Sequence, residues 1–266
     1  MDGLPLCEEA IDKALWIDLL RPTVEEKELV EKALNLSIPS QEEMVEIEES
    51  SRLFKEGDAL FMSCWLLCYD SPIPVNTSVT VRITPDYFLS IRYSDHHGFR
   101  VFSDSRKRKQ PRRFQDSGDV YAELMDAITG HIAYTLRLVE QDLNNLSVEL
   151  FAEQKAQIAH SKPIGLKRVV KRLGKRNSVI SSLRESCVSL STITPFFVSN
   201  AADWIGADVS SRLRALQRDI QSLGQYNAQL SSEIAFLLDS TVGLIDFEQN
   251  QMMKWLGAAA LLVTLL

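Results

Sequence analysis

Six positions near the C-terminus combine residue types that could handle a metal cation: Asp239, Val242, Asp246, Asn250, Met253 and Gly257. Steps of three and four residues place all six on one stripe of a helix. The order is unusual for a core seam, because unpaired buried carboxylates such as Asp239 and Asp246 are expensive. Facing a wet axis they cost little, and repeated around that axis they gather hydrated cations. Asn250 then offers a carbonyl oxygen to an ion's water shell, and Met253 an apolar constriction that gates by excluding water. The alternative is that both aspartates point to bulk solvent on an isolated helix.

A second acidic feature is the run Glu42 to Glu49, with five glutamates in eight residues. Its field suits a hard cation such as magnesium, which takes oxygen ligands and keeps several waters. A solvated helix face is the competing reading. Enzyme chemistry is not expected, since the chain has no phosphate-binding glycine loop and its four histidines are scattered. In "DHHG" the flanking Asp95 and Gly98 favour a solvated turn over a metal pair. Cys7, Cys64, Cys68 and Cys187 lack zinc-ligand spacing and read as free thiols of a reducing compartment, with Cys64 and Cys68 as small core residues on one strand face. Two basic clusters, Arg106 to Arg113 and Lys167 to Arg176, lack the interleaved aromatics of single-strand binders. With a net charge of −7, nucleic acid is not an expected partner. These clusters read as solvated faces, with anionic lipid or acidic neighbouring helices as the other options.

The elements that position these residues change character along the chain. "LWIDLL" reads as a strand, and "RPTVEEKELVEKALNL" as a helix with Pro22 near its start and Glu25 and Glu26 in its first turn. In "IPSQEEMVEIEESSRLF" Ser40 and Glu43 have the spacing of a capping box. "ALFMSCWLLCYD", "VNTSVTVRIT" and "YFLSIRYS" are β-rich, and Pro85-Asp86 bends the last two into a hairpin. From Asp119 apolar residues recur every three or four positions through Leu150, one long amphipathic helix. A second helix runs from about Leu166 towards Thr194, where Pro195 stops or kinks it. From Asp203 a near-heptad pattern continues, giving a helix of roughly 90 Å that must project.

That last helix ends in about twelve uncharged residues, Trp255 to Leu266, against the roughly 20 that span a bilayer. The pattern predicts a stalk entering a membrane, with a terminal coiled coil as the alternative.

"VGLIDFEQNQMMKWL" resembles the segment that carries the stalk helix of the CorA family of divalent-cation transporters into its first membrane span. "LWIDLLRPTVEEKELVEKALNLSIP" followed by "EIEESSRLF" resembles the start of that family's cytosolic domain, and the order of parts agrees. The resemblance implies an α/β fold: an N-terminal mixed, largely antiparallel sheet with flanking helices, then long antiparallel helices and a very long C-terminal stalk helix. The expected divisions are 1–118 (α/β domain), 119–200 (two amphipathic helices) and 201–266, the stalk running into a membrane segment at about 253–266. The family's Gly-Met-Asn signature and second span are absent, so a cytosolic domain with the first third to half of a pore helix is expected.

The resemblance further implies a homopentamer in the inner membrane with this portion facing the cytoplasm, and no cofactor. Magnesium would be the substrate and regulatory ligand, with cobalt or nickel as further ions and passive transport. Asp239, Asn250 and Met253 fall on the family's pore-lining aspartate, asparagine and methionine. The family's regulatory carboxylates fall near Met44 and Ala215, so Glu43, Glu46 and Asp219 would substitute, sandwiching metal between neighbouring protomers. A zinc transporter of the same superfamily, or a tail-anchored coiled-coil adaptor, are the alternatives.

Overall fold

The computed structural model describes residues 8–11, 13–46, 52–69, 74–107, 113–158 and 165–264. They form two compact units, one containing the chain up to Thr135 and Ser182–Tyr226, the other Leu136–Ser181 and the chain from Asn227 on.

The first unit is built on a five-stranded sheet of order β1-β5-β4-β3-β2. Its strands are β1 (Trp16–Leu20), β2 (Leu53–Glu56), β3 (Ala59–Cys68), β4 (Val75–Ile83) and β5 (Phe88–Arg92). Only β1 runs parallel to its neighbour, with Trp16 opposite Phe88, so the sheet is mixed and largely antiparallel as expected. The β4–β5 hairpin closes around Pro85-Asp86, where the Thr84 and Tyr87 backbones bond across the bend at 2.9 Å. Strand β2, which the sequence reading left out of the sheet, pairs with β3 through a turn at Gly57, whose φ of 58° suits glycine.

Period-two alternation assigns the faces. Leu60, Met62 and Cys64 of β3 lie opposite Ile83, Val81 and Val79 of β4, and all six are buried. Tyr121 joins this core, edge-on to Phe88 and 4.3 Å from Phe197 between ring centres. Each fully buried side chain of this size contributes about 1.5–3 kcal/mol. A second core gathers Ile11, Val30, Ile38 and Met44 with Ile17 and Leu19 of β1 and Leu89 and Ile91 of β5. It carries three short helices: α1 (Glu8–Ile11), α2 (Val24–Leu34) and α3 (Gln41–Glu46). α2 begins with a Thr23/Glu26 capping box and ends at Asn35 in the left-handed conformation.

Three expectations need correction. "DHHG" is not a solvated turn: His96 is buried and stands at the N-cap of a further helix, α4 (His97–Arg106). Pro195 does not end the second long helix, α6 (Leu166–Asn200), which runs one more turn. "EIEESSRLF" holds the strand β2 at its end.

The other long helices are α5 (Ser117–Ile158) and α7 (Ala207–Thr264). In the second unit, Leu143, Leu146 and Leu150 of α5, Val169 and Leu173 of α6, and Leu230, Ile234 and Leu237 of α7 are buried. Those of α5 and α7 are among the three-and-four-spaced positions read from the sequence. Asn227 Nδ2 donates to the Ile180 carbonyl at 3.0 Å within this unit.

Candidate functional site

Burial along α7 stops at Thr241, whose hydroxyl bonds back to the Leu237 carbonyl at 2.6 Å. From Val242 on, none of the described side chains is buried. Asp239, Val242, Asp246, Asn250, Met253 and Gly257 are all exposed. At 100° per residue the six fall within a sector of about 80°, so the structure keeps them on one helical stripe. Trp255, 72% exposed, points away from that sector, and Leu256, 69% exposed, flanks it about 40° beyond its edge. A helix with a polar stripe and exposed apolar flanks is unsatisfied as a single copy, and its apolar residues call for further surfaces. Among the described residues no helix is long and apolar enough to cross a membrane.

The acidic residues sort differently. Glu43 completes the capping box of α3: Ser40 N donates to its carboxylate at 2.7 Å, and Glu43 N donates to Ser40 Oγ at 3.2 Å. The backbone bond at Ser40, then its hydroxyl, hold the Glu43 pKa below the usual value. Glu46 is exposed at the end of the same helix, and Glu48 and Glu49 lie outside the described residues. Asp219 of α7 instead faces Asp126 of α5. Burial pushes the Asp126 carboxyl up, the charges of Glu123 and Asp219 push the same way, and Arg212 opposes them. Arg212 bridges Asp119 at 2.8 Å and Glu123 at 2.9 Å. Within one chain, no three described carboxylate, histidine or cysteine side chains converge to hold a metal. Glu43 and Glu46 are therefore not joined to Asp219 in a single protomer. The Asp126–Asp219–Arg212 grouping was missed, although Asp119, Glu123 and Asp126 already share one face of α5 by spacing.

Three arginines of the 167–176 cluster are neutralised by acids of α5. Arg172 reaches Asp142 at 2.7 Å and Glu149 at 2.9 Å, Arg176 reaches Asp142 at 2.6 Å, and Arg168 lies 3.9 Å from Glu149. This is the acidic-neighbour reading. Most of the 106–113 cluster lies outside the described residues, as does Cys7. Cys64, Cys68 and Cys187 are buried and not disulfide-bonded, as expected of core thiols.

The histidines are less scattered in space than in sequence. The His96 ring lies 3.3 Å from the Leu67 carbonyl and 3.1 Å from the Thr77 hydroxyl. The His97 and His131 rings sit 4.4 Å apart. Burial, then the neighbouring His97 and Arg100, depress the His131 pKa to about 4.

The family described as CorA-like Mg2+ transporter protein matches residues 12–265. A magnesium transport protein CorA of Mannheimia succiniciproducens is 27% identical over 255 residues, covering 95% of this chain and 77% of that protein. One from Haemophilus influenzae is 25% identical over 253 residues, with 95% and 77% coverage. Among solved structures, the complete CorA magnesium transporter from Methanocaldococcus jannaschii superimposes with a TM-score of 0.73 at 17% identity, covering 91% of this chain and 73% of that one. The ZntB cytoplasmic domain from Vibrio parahaemolyticus gives 0.64 at 10% identity, with 87% coverage of each. At these identities the structural likenesses speak for the fold.

Proposed function

Because the chain belongs to the CorA-like Mg2+ transporter family, whose members are ion transporters and not enzymes, we propose that it is the cytoplasmic part of a homopentameric magnesium channel in the cell membrane. Cobalt and nickel would be further ions, and α7 would line the inner funnel of the pore. The observation that carries this reading is the exposed stripe from Asp239 to Gly257. Five copies around an axis make rings of Asp239 and Asp246 that raise the local concentration of hydrated cations. Asn250 carbonyls accept hydrogen bonds from the ion's water shell, so the ion need not lose its tightly held waters. Met253 closes the path when its ring of thioethers excludes water. The exposed Trp255 and Leu256 would meet lipid or neighbouring helices.

Regulation would use Glu43, Glu46 and Asp219 between protomers. Magnesium bound there stabilises the closed assembly by binding linkage. The like charges of Asp126 and Asp219 give a second cation a reason to sit at this face, because it relieves their repulsion.

The test is ion uptake by the complete transporter in liposomes, with magnesium, cobalt, nickel and zinc compared. Asn250→Leu blocks or sharply slows magnesium uptake, and Met253→Ala leaves the pore leaky. Normal, magnesium-regulated flux in both variants shows that the stripe does not line the pore. Uptake of zinc in preference to magnesium would change the substrate and leave the geometry standing.

A further inference from the structure

His131, on α5, and His97, the first residue of α4, line a cavity of about 20 Å³ in the first unit, together with Leu66, Ile128, Leu183 and other mostly apolar neighbours. That is room for one water or one metal ion. The Nε2 atom of His131 is buried there with no hydrogen-bond partner. It is one of seven such atoms among the described residues, and the mostly apolar wall around His131 supplies no partner for it. His96, in the same wall, is already bonded through both ring nitrogens. His97 is exposed, and its ring is tilted 37° to that of His131.

We infer that His97 and His131 form a two-imidazole site for a borderline divalent transition ion, separate from the carboxylate stripe on α7. Imidazole nitrogen suits zinc, cobalt and nickel, whereas magnesium prefers oxygen, so the site selects against the abundant ion by ligand type. The ring spacing fits. With metal–nitrogen bonds of about 2.1 Å and a ring centre about 1.1 Å beyond the nitrogen, two imidazoles on adjacent octahedral positions have centres roughly 4.5 Å apart, against the observed 4.4 Å. Water completes the coordination on the open side. The ion would tie α4 to α5 at a point of close approach: a Cβ on Gly98 would fall 2.9 Å from the Ile128 backbone. Arg100 is the cation that works against binding, and its pairing with Asp95 at 3.5 Å offsets part of its charge.

The test is cobalt titration of the purified chain in mild detergent with millimolar magnesium present, which occupies carboxylate sites. The d–d absorption and the shifts of the histidine ring resonances report the ligands. One cobalt per chain with imidazole ligation is expected. His97→Ala, a surface change that keeps the fold, and His131→Asn should each weaken binding at least about tenfold, and Arg100→Ala should tighten it. Unchanged cobalt binding in both histidine variants overturns the proposal. So does the absence of any saturable binding to the unmodified chain, in which case the cavity holds water only. Neither outcome bears on the pore stripe, which is tested by flux.

Discussion

Arg212 is a residue whose removal should be felt strongly in the first unit. Its guanidinium fork, on α7, joins two carboxylates of α5, and the Asp119 side chain is only 3% exposed. Taking away one partner of a buried ion pair costs about 3–5 kcal/mol, because a carboxylate is left in a poor solvent. Asp119 sits in the first turn of α5, where the helix dipole returns about 0.3–1 kcal/mol. The Glu123 half, 31% exposed, adds less than about 1 kcal/mol. Arg212→Ala should therefore destabilise this unit by roughly 3 kcal/mol, which for a urea m-value of about 3 kcal/mol/M lowers the midpoint by about 1 M. Trp16, Trp65 and Trp204 all lie in this unit, so tryptophan fluorescence in a Trp255→Phe background follows its unfolding. Arg212→Lys keeps the charge without the fork and should recover about half of the loss. The reasoning fails if Arg212→Ala shifts the midpoint by less than about 0.3 M. It fails equally if Asp119→Asn and Arg212→Ala are fully additive, since a pair in contact must couple.

Three other outcomes are expected. Burial works to raise the Asp142 pKa, but hydrogen bonds and charge from Arg176 and Arg172 hold it below its ordinary 3.8. Its contribution is thus present above that unfolded value and is lost as pH falls through the lower folded one. Asp142→Asn should flatten the acid limb of the second unit's stability profile, and an unchanged limb would show the pairing to be idle. Burial pushes the Cys64 thiol up to about 12; the native chain should leave it unalkylated by iodoacetamide near pH 8, and fast labelling would contradict its packing. Millimolar magnesium should protect α7 from protease, and Glu43→Gln with Glu46→Gln should remove that protection. Glutamine keeps the capping box at Ser40, so a lost effect reports charge and not unfolding; protection that persists means the run is a solvated face.

Much of the fold was legible because its signals are local. The periodicity of α5 and α7, the Ser40/Glu43 box and the Pro85-Asp86 bend each depend on residues within a turn or two of one another, and each is present. The alignment of the stripe from Asp239 to Gly257 also follows from spacing alone, because any helix through these positions aligns those six residues. What spacing could not supply were relations between distant segments. β2 is four residues long and is a strand only because β3 offers it an edge. His96 reads as a turn residue until the Leu67 carbonyl and Thr77 hydroxyl, both from other strands, surround it. Pro195 lacks a donor, yet packing of Phe197 on Tyr121 carries the helix past it. The basic run of α6 looks free to bind an anion until α5 brings Asp142 and Glu149 alongside. Asp219 was placed by sequence with Glu43 and Glu46, whereas folding sets it against Asp126, because charges act through space and the chain positions that meet are chosen by tertiary packing.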